Sequence, residues 1–110
     1  MKKILLDENL PKRLLYRLLD YGYHTESVRS MEWLSLKNGK LMAKIAEYGF
    51  DIFLTSDKKI RYEQNIQKIP FAIVILDVKN LNYVNSIQPI LSNIIEQLPK
   101  TGPYTLYIIP

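Results

Sequence analysis

The chain has 110 residues, 47% of them hydrophobic and 24% charged, and this length supplies one compact core but is too short for two ordinary domains. The absence of cysteine excludes disulfides and thiolate metal sites, and no segment approaches the roughly 20 apolar residues of a membrane span. A net charge of +4 is compatible with an anionic partner such as nucleic acid, and we expect a cytoplasmic protein with no membrane partner.

The first part of the chain predicts a strand, a helix and a second strand. Residues 4–6 form a short apolar run that is typical of a central strand. Pro11 suits the first turn of the following helix, and Gly22 stands where a left-handed residue ends it. Residues 23–28 alternate weakly and predict a second strand, and a loop then extends over residues 29–37.

The rest of the chain continues this alternation. A second helix is predicted to begin with Asn38 as its N-cap and to end at Gly49. β-branched and aromatic residues then favour further strands, with helices between them. The predicted elements are a strand over residues 51–55, a polar helix or turn over 58–67, a strand over 71–76, a helix over 84–98 and an edge strand over 104–109.

Strands and helices that alternate at this spacing predict an α/β fold with an open, mainly parallel sheet and helices on both faces. In such folds, ligands bind outside the carboxyl ends of the strands, near the point where the strand order reverses. Two apolar runs of this chain stop at acids: the first is followed by Asp7 and Glu8, and the second ends shortly before Asp57. We therefore expect these carboxylates to lie at one edge of the sheet.

Carboxylates that meet at a sheet edge repel one another, so they need a proton, a cation or a basic partner. Mg²⁺ prefers hard oxygen ligands and is commonly held by one or two carboxylates together with a substrate phosphate. Asp7 and Asp57 therefore predict a site for Mg²⁺ (or Mn²⁺) that serves phosphoryl chemistry, with Glu8 as a weaker ligand candidate.

Plainer interpretations of the same residues stay open. Asn9 can cap the first helix while Asp7 accepts hydrogen bonds from nearby backbone amides. Asp57 can likewise cap the segment that begins at Lys58. Under these interpretations the acids serve the local backbone and do not form a shared site.

Basic side chains follow the ends of predicted strands and loops, where they can contact a phosphate backbone. Tyr62 and Trp33 are candidates for stacking on unpaired bases. The alternative is an ordinary solvated surface, with Trp33 in the core. The basic residues concerned are Lys12, Arg13, Lys37, Lys40, Lys44, Lys58, Lys59 and Arg61.

Five stretches of the chain match a known family in order and spacing: residues 5–11, Trp33 with residues 36–39, residues 53–57, residues 61–65 and residues 70–76. They resemble the small PIN-like predicted nucleases of predicted bacterial toxin–antitoxin systems. The resemblance implies a single PIN-like domain over residues 1–110, folded as a three-layer α/β/α sandwich that cleaves RNA with a metal. It also implies an antitoxin protein as partner, and self-association into a homo-oligomer is a further expectation.

The acids of that family carry over onto Asp7 and Asp57, whereas the start of the second helix departs from its pattern. Relatives commonly have Asp or Glu there, and this chain has Asn38 and Lys40. Asn38 still offers a neutral oxygen, but Lys40 cannot bind a metal ion and repels one. The expected metal ligands are therefore Asp7, Asp57, Asn38 and Glu8.

Three classes of function follow from these residues. The first is a magnesium-dependent endoribonuclease that acts as the toxin of a toxin–antitoxin pair. The second is a catalytically degenerate PIN-like module that binds RNA or a partner protein without cutting, which the departure at Lys40 favours. The third is a phosphoacceptor receiver module, although no Thr or Ser follows residues 71–76 and no lysine follows residues 104–109.

Overall fold

Five parallel strands alternate with four helices in the computed structural model, which describes residues 2–77 and 84–110, apart from the side chains of residues 84–89. The strands are β1 (Lys3–Leu6), β2 (His24–Ser27), β3 (Ile52–Thr55), β4 (Ala72–Leu76) and β5 (Leu106–Ile109). The helices are α1 (Lys12–Asp20), α2 (Asn38–Glu47), α3 (Ile60–Glu63) and α4 (Val84–Gln97). Two short 3₁₀ segments, Ile66–Lys68 and Leu98–Lys100, follow α3 and α4.

All neighbouring strands pair in parallel, in the order β2-β1-β3-β4-β5. This is the order of the flavodoxin-type doubly wound sheet, in which the strand order reverses between β1 and β3. The predicted α/β class, the parallel sheet and the position of β5 at an edge are confirmed, and the chain is a single compact α/β domain.

The three central strands are buried on both sides, as expected for a parallel sheet with helices on each face. Leu6 and Leu54 face one core, which α1 and α4 cover. Leu5 and Phe53 face the other core, which α2 and α3 cover. The sheet therefore lies between two helical layers. Among the described helices, none combines the length and the apolar character that crossing a membrane requires.

Both glycines that were predicted to end helices do so in the left-handed region, with φ of 91° at Gly22 and 74° at Gly49. The predicted N-cap of α2 was wrong. Asn38 is the first residue of that helix and Lys37 occupies the cap position, with no hydrogen bond from its side chain to the helix. The amide of Asn38 is consequently available for contacts outside the helix.

Candidate functional site

Asp7 and Asp57 lie at the carboxyl edge of the two neighbouring strands β1 and β3. Leu6 pairs with Leu54 in the sheet, and the N–H of Asp7 donates a hydrogen bond of 2.8 Å to the carbonyl oxygen of Leu54. This bond continues the ladder by one residue and fixes where the side chain of Asp7 leaves the sheet. Since the strand order reverses between β1 and β3, both acids stand where this class of fold binds its ligands.

A buried hydroxyl connects the two acids. Thr55, whose exposed fraction is 0%, donates a hydrogen bond of 2.7 Å to Asp7 Oδ2. Its Oγ1 accepts the N–H of Asp57 at 3.0 Å. Asn9 adds a second link, because its Oδ1 accepts the N–H of Ser56 at 3.3 Å while its Nδ2 lies 3.4 Å from Asp7 Oδ2. The ends of β1 and β3 are thus joined through polar side chains.

The plainer interpretations of these residues hold only in part. Asp7 Oδ1 does accept the N–H of Glu8 at 2.8 Å, and Asp57 Oδ1 accepts the N–H of Lys59 at 2.9 Å. Asn9, however, bonds across to β3 and is not the cap of α1. A carboxylate has about four lone-pair sites, so these local bonds leave both acids able to accept a further donor or a cation.

Burial raises the pKa of Asp7 above its ordinary value. The hydrogen bonds from Thr55 and from the backbone of Glu8 oppose this shift, and the negative charges of Glu8 and Asp57 add to it. The charged form of Asp7 is therefore disfavoured where it stands. A cation bound between the carboxylates would remove that penalty.

One cleft of about 340 Å³, which we call the acid cleft, has both carboxylates in its wall. All four residues that the sequence proposed as metal ligands line it: Asp7, Glu8, Asn38 and Asp57. Asn9 also reaches it, and the rest of the wall is mostly apolar and includes Trp33. The arrangement gives a group of hard oxygen donors that is open to solvent on one side and backed by apolar side chains.

Glu63 is a contact of this site that the sequence did not reveal. Asn38 Nδ2 donates a hydrogen bond of 3.2 Å to Glu63 Oε2, across from α2 to α3. This bond engages the nitrogen side of the amide and leaves its oxygen for the acid cleft. Lys40 lines a separate hollow together with Lys37, so its charge lies outside the group of residues that forms the acid cleft.

The oxygen donors of the acid cleft are of the kind that Mg²⁺ and Mn²⁺ prefer, but few of them belong to charged side chains. Within residues 2–77 and 84–110, no group of three or more His, Cys, Asp or Glu side chains is arranged to hold a metal ion. The acid cleft offers Asp7 and Asp57 as charged ligands, Asn38 as a neutral one and the exposed Glu8 beside them. Mg²⁺ requires no more protein ligands than this when water and substrate complete its shell.

Comparisons of the chain with protein-family models, with curated proteins and with solved structures find no match. The likeness to PIN-like nucleases is therefore an expectation from the sequence. The structure adds one observation to that expectation, namely the oxygen donors that line the acid cleft.

The basic residues after β3 differ in whether their side chains already contact another residue. Lys58 Nζ lies 2.6 Å from Asp77 Oδ1, an acid at the end of β4 that the sequence did not single out. Lys59 is exposed, and Arg61 lies 4.8 Å from the ring centre of Tyr62. Tyr62 is 77% exposed, so one face of its ring is covered by Arg61 and the side chain is otherwise open to a partner.

Trp33 packs in the interior, as its plainer interpretation proposed. Only 7% of its surface is exposed, and its ring meets those of Tyr48 and Phe50 edge to face, with centres 5.0 and 6.1 Å apart. It is one of the apolar residues that line the acid cleft. The buried ring of Trp33 is therefore not available for stacking on an unpaired base, whereas the ring of Tyr62 is exposed.

Proposed function

We propose that this protein is a metal-dependent endoribonuclease and, by its resemblance to the PIN-like family, the toxin of a toxin–antitoxin pair in the cytoplasm. The observation that supports the proposal best is the acid cleft itself. Asp7 and Asp57 come from two adjacent strands, share Thr55 as a hydrogen-bond partner, and line one opening at the edge of the sheet. An antitoxin that covers this edge would restrain the activity.

Asp7, Asp57 and the amide oxygen of Asn38 would hold the metal ion, and Glu8, which lines the same cleft, is a weaker candidate ligand. Bound there, Mg²⁺ or Mn²⁺ would polarise a phosphodiester and lower the pKa of a coordinated water. Thr55 and Asn9 position Asp7, and Glu63 positions Asn38.

The exposed cations around this edge would bind the RNA backbone. Lys59 and Arg61 follow Asp57 directly, and Tyr62 offers a ring for an unpaired base. Lys37 and Lys40 line a neighbouring hollow and extend the positive surface beyond the start of α2. Contacts of this kind give affinity without sequence specificity.

The proposal is tested by titrating MgCl₂ and MnCl₂ into the protein by calorimetry, with cleavage of a labelled single-stranded RNA measured beside it. The wild type should bind metal and cut, and the Asp7→Asn/Asp57→Asn variant should do neither. An Asp20→Asn/Asp51→Asn variant, which removes the same number of charges elsewhere, should behave like the wild type. A wild type that binds neither metal, even with RNA present, would remove the basis for the nuclease assignment.

A non-cutting RNA-binding or protein-binding module is the second candidate. The observation that favours it is the small number of charged ligands in the acid cleft. An acid at position 38 would supply a third carboxylate, and this chain has the neutral Asn38 there. In that case the double Asp→Asn variant should bind RNA at least as tightly as the wild type, since two negative charges are removed from the contact surface. RNA binding without metal binding or cleavage would select this candidate.

The strand order also fits a phosphoacceptor receiver, with Asp57 at the end of β3. The residues that follow β4 and β5 argue against it. Asp77 follows β4 in the place of a hydroxyl residue, and Pro110 follows β5 in the place of a lysine. Incubation with acetyl phosphate and Mg²⁺ should therefore leave Asp57 unmodified, and labelling of that residue would reverse the assignment.

A further inference from the structure

A second cleft, of about 280 Å³, opens between α1 and the turn after β2, and we call it the basic cleft. It shares Asp7 and Glu8 with the acid cleft, so these two residues form the boundary between the two openings. Three further side chains give it a distinct chemistry: Lys12, Tyr16 and Arg29. Tyr16 and Arg29 were not predicted from the sequence as binding residues.

Two cations converge on this cleft from different elements. Lys12 belongs to the first turn of α1, and Arg29 follows the end of β2. Neither forms an ion pair with any residue of the described ranges, whereas Lys58 is bound to Asp77. Guanidinium and ammonium groups without a protein partner are the groups that phosphate oxygens attract most strongly.

The remaining wall suits a base and a sugar. Tyr16 is 59% exposed and lines the cleft together with Leu15 and Pro11. Ser27 Oγ accepts the N–H of Ser30 at 2.9 Å, which leaves the hydroxyl proton of Ser27 free to donate. An aromatic ring, an apolar floor, a hydroxyl donor and two cations together match the parts of one nucleotide.

We propose that the basic cleft binds the nucleotide adjacent to the phosphodiester held at the acid cleft, with Lys12 and Arg29 on its phosphate and Tyr16 on its base. This inference rests on the proposed nuclease function for the role of the neighbouring site. The volume lies near the lower end of small-ligand sites, about 300 Å³, so it admits one nucleotide unit and not a folded segment. A free mononucleotide has the same chemistry, and the test separates the two sources.

The test measures binding of a fluorescent RNA octanucleotide by anisotropy, in EDTA, to protein carrying Asp7→Asn and Asp57→Asn. These substitutions prevent cleavage and remove the repulsion between the acids and the phosphates. Adding Lys12→Ala and Arg29→Ala should weaken binding at least tenfold and reduce the slope of log K against log salt by about 0.7, the value for one phosphate of a single strand that is no longer neutralised. Tyr16→Ala should weaken binding at least about fivefold, and Tyr16→Phe should not.

The matched control is Arg17→Ala with Lys68→Ala, which removes one arginine and one lysine that do not line the cleft. This pair should change the affinity less than threefold. Equal weakening by both pairs would overturn the proposal, because only the overall charge would then matter. Tighter binding of adenosine 5′-monophosphate than of the octanucleotide would overturn the assignment to an RNA strand.

Failure of this subsite and failure of the nuclease assignment give different results. If the wild type cuts RNA with Mg²⁺ and the Lys12→Ala/Arg29→Ala variant cuts with an unchanged KM, the nuclease stands and the subsite is lost. If RNA binding depends on Lys12 and Arg29 but no metal supports cleavage, the subsite stands in a protein that does not cut.

Discussion

The hydroxyl of Thr55 donates to the side chain of Asp7 and accepts from the backbone of Asp57, so one buried oxygen atom sets the relation between the two acids. Asp7 leaves the sheet from β1 and Asp57 from the segment after β3. Neither acid reaches the other directly through a hydrogen bond. The site is therefore sensitive to a side chain that cannot itself be a strong metal ligand.

Replacing Thr55 by valine keeps the shape of the side chain and removes this oxygen. We expect a loss of about 1–3 kcal/mol in the free energy of unfolding, because Asp7 and the N–H of Asp57 each lose a partner. Metal affinity should fall as well, since the carboxylates are no longer held. Urea denaturation and calorimetry with MnCl₂ measure the two effects.

Thr25→Val is the control for that substitution, because Thr25 is also buried and donates to a carbonyl oxygen, that of Tyr23, at 3.2 Å. It lies on β2, away from the acid cleft. The control should cost stability without changing metal affinity. Loss of metal binding in both variants would mean that stability alone, and not the position of Asp7, governs the site.

Asp7→Asn should stabilise the metal-free protein at neutral pH. Burial raises the pKa of Asp7, so the folded state favours the neutral form, and that contribution is present below the ordinary pKa of aspartate and lost as the pH rises through the raised value. The amide is neutral throughout. The variant should therefore melt above the wild type at pH 7, and the difference should shrink as the pH is lowered.

Thermal melts of the two proteins from pH 3 to pH 8, in EDTA, measure this difference. Glu32→Gln, at an exposed position in the loop before α2, is the control and should show no comparable pH dependence. A saturating metal should reverse the order at pH 7, since only the wild type gains binding energy. A metal-free wild type more stable than Asp7→Asn at neutral pH would contradict the burial argument.

Asn38→Asp should increase metal affinity by supplying a third carboxylate, but Glu63 opposes the change. The new carboxylate would face Glu63 Oε2, which now accepts a hydrogen bond of 3.2 Å from the amide of Asn38. Combining Asn38→Asp with Glu63→Gln replaces this repulsion by a hydrogen bond. We expect the double variant to bind Mn²⁺ about tenfold more tightly than the wild type, because affinity rises with the charge of the ligand set.

Calorimetric titrations with MnCl₂ of the wild type, both single variants and the double variant give a double-mutant cycle for metal affinity. Glu63→Gln alone should change the affinity little, since glutamine can still accept from Asn38. If Asn38→Asp alone is as effective as the double variant, then Glu63 does not position residue 38.

Asp77 should limit the binding of RNA by Lys58. The two side chains form an ion pair of 2.6 Å that is largely exposed, so it contributes little to folding stability. Asp77→Asn should release Lys58 and tighten RNA binding, with a steeper salt dependence. Lys58→Ala should have little effect in the wild type and a clear one in the Asp77→Asn background. Equal effects of Lys58→Ala in both backgrounds would show that the ion pair does not restrain the lysine.

The fold could be predicted from the sequence because its signals are local. Short apolar runs predicted the central strands, a weak alternation predicted β2, and Gly22 and Gly49 predicted the ends of two helices, where both glycines have positive φ. The edge that carries Asp7 and Asp57 followed from the alternation of elements. Periodicity cannot reveal which residue caps a helix, so the interpretation of Asn38 as an N-cap was wrong.

The partners of the site residues could not be predicted, because each is a contact between elements far apart in the chain. In the sequence, Thr55 is an ordinary strand residue. Its hydrogen bond to Asp7 becomes evident only when β1 is known to lie beside β3. Glu63 and Asp77 belong to a polar helix and a strand end, and only the packing of the domain brings them to Asn38 and Lys58. Arg29 lay in a loop without any periodic signal.

The two acids also connect opposite sides of the molecule. After Asp7 the chain passes to α1, on the face covered by α1 and α4, and after Asp57 it passes to α3, on the other face. A shift of either helical layer would therefore alter the spacing of the carboxylates. We expect conservative substitutions at buried positions of both layers, at Leu14 in α1 and at Ile60 in α3, to change metal affinity although neither residue lines the acid cleft. The metal affinity of the acid cleft should therefore depend on the packing of both cores.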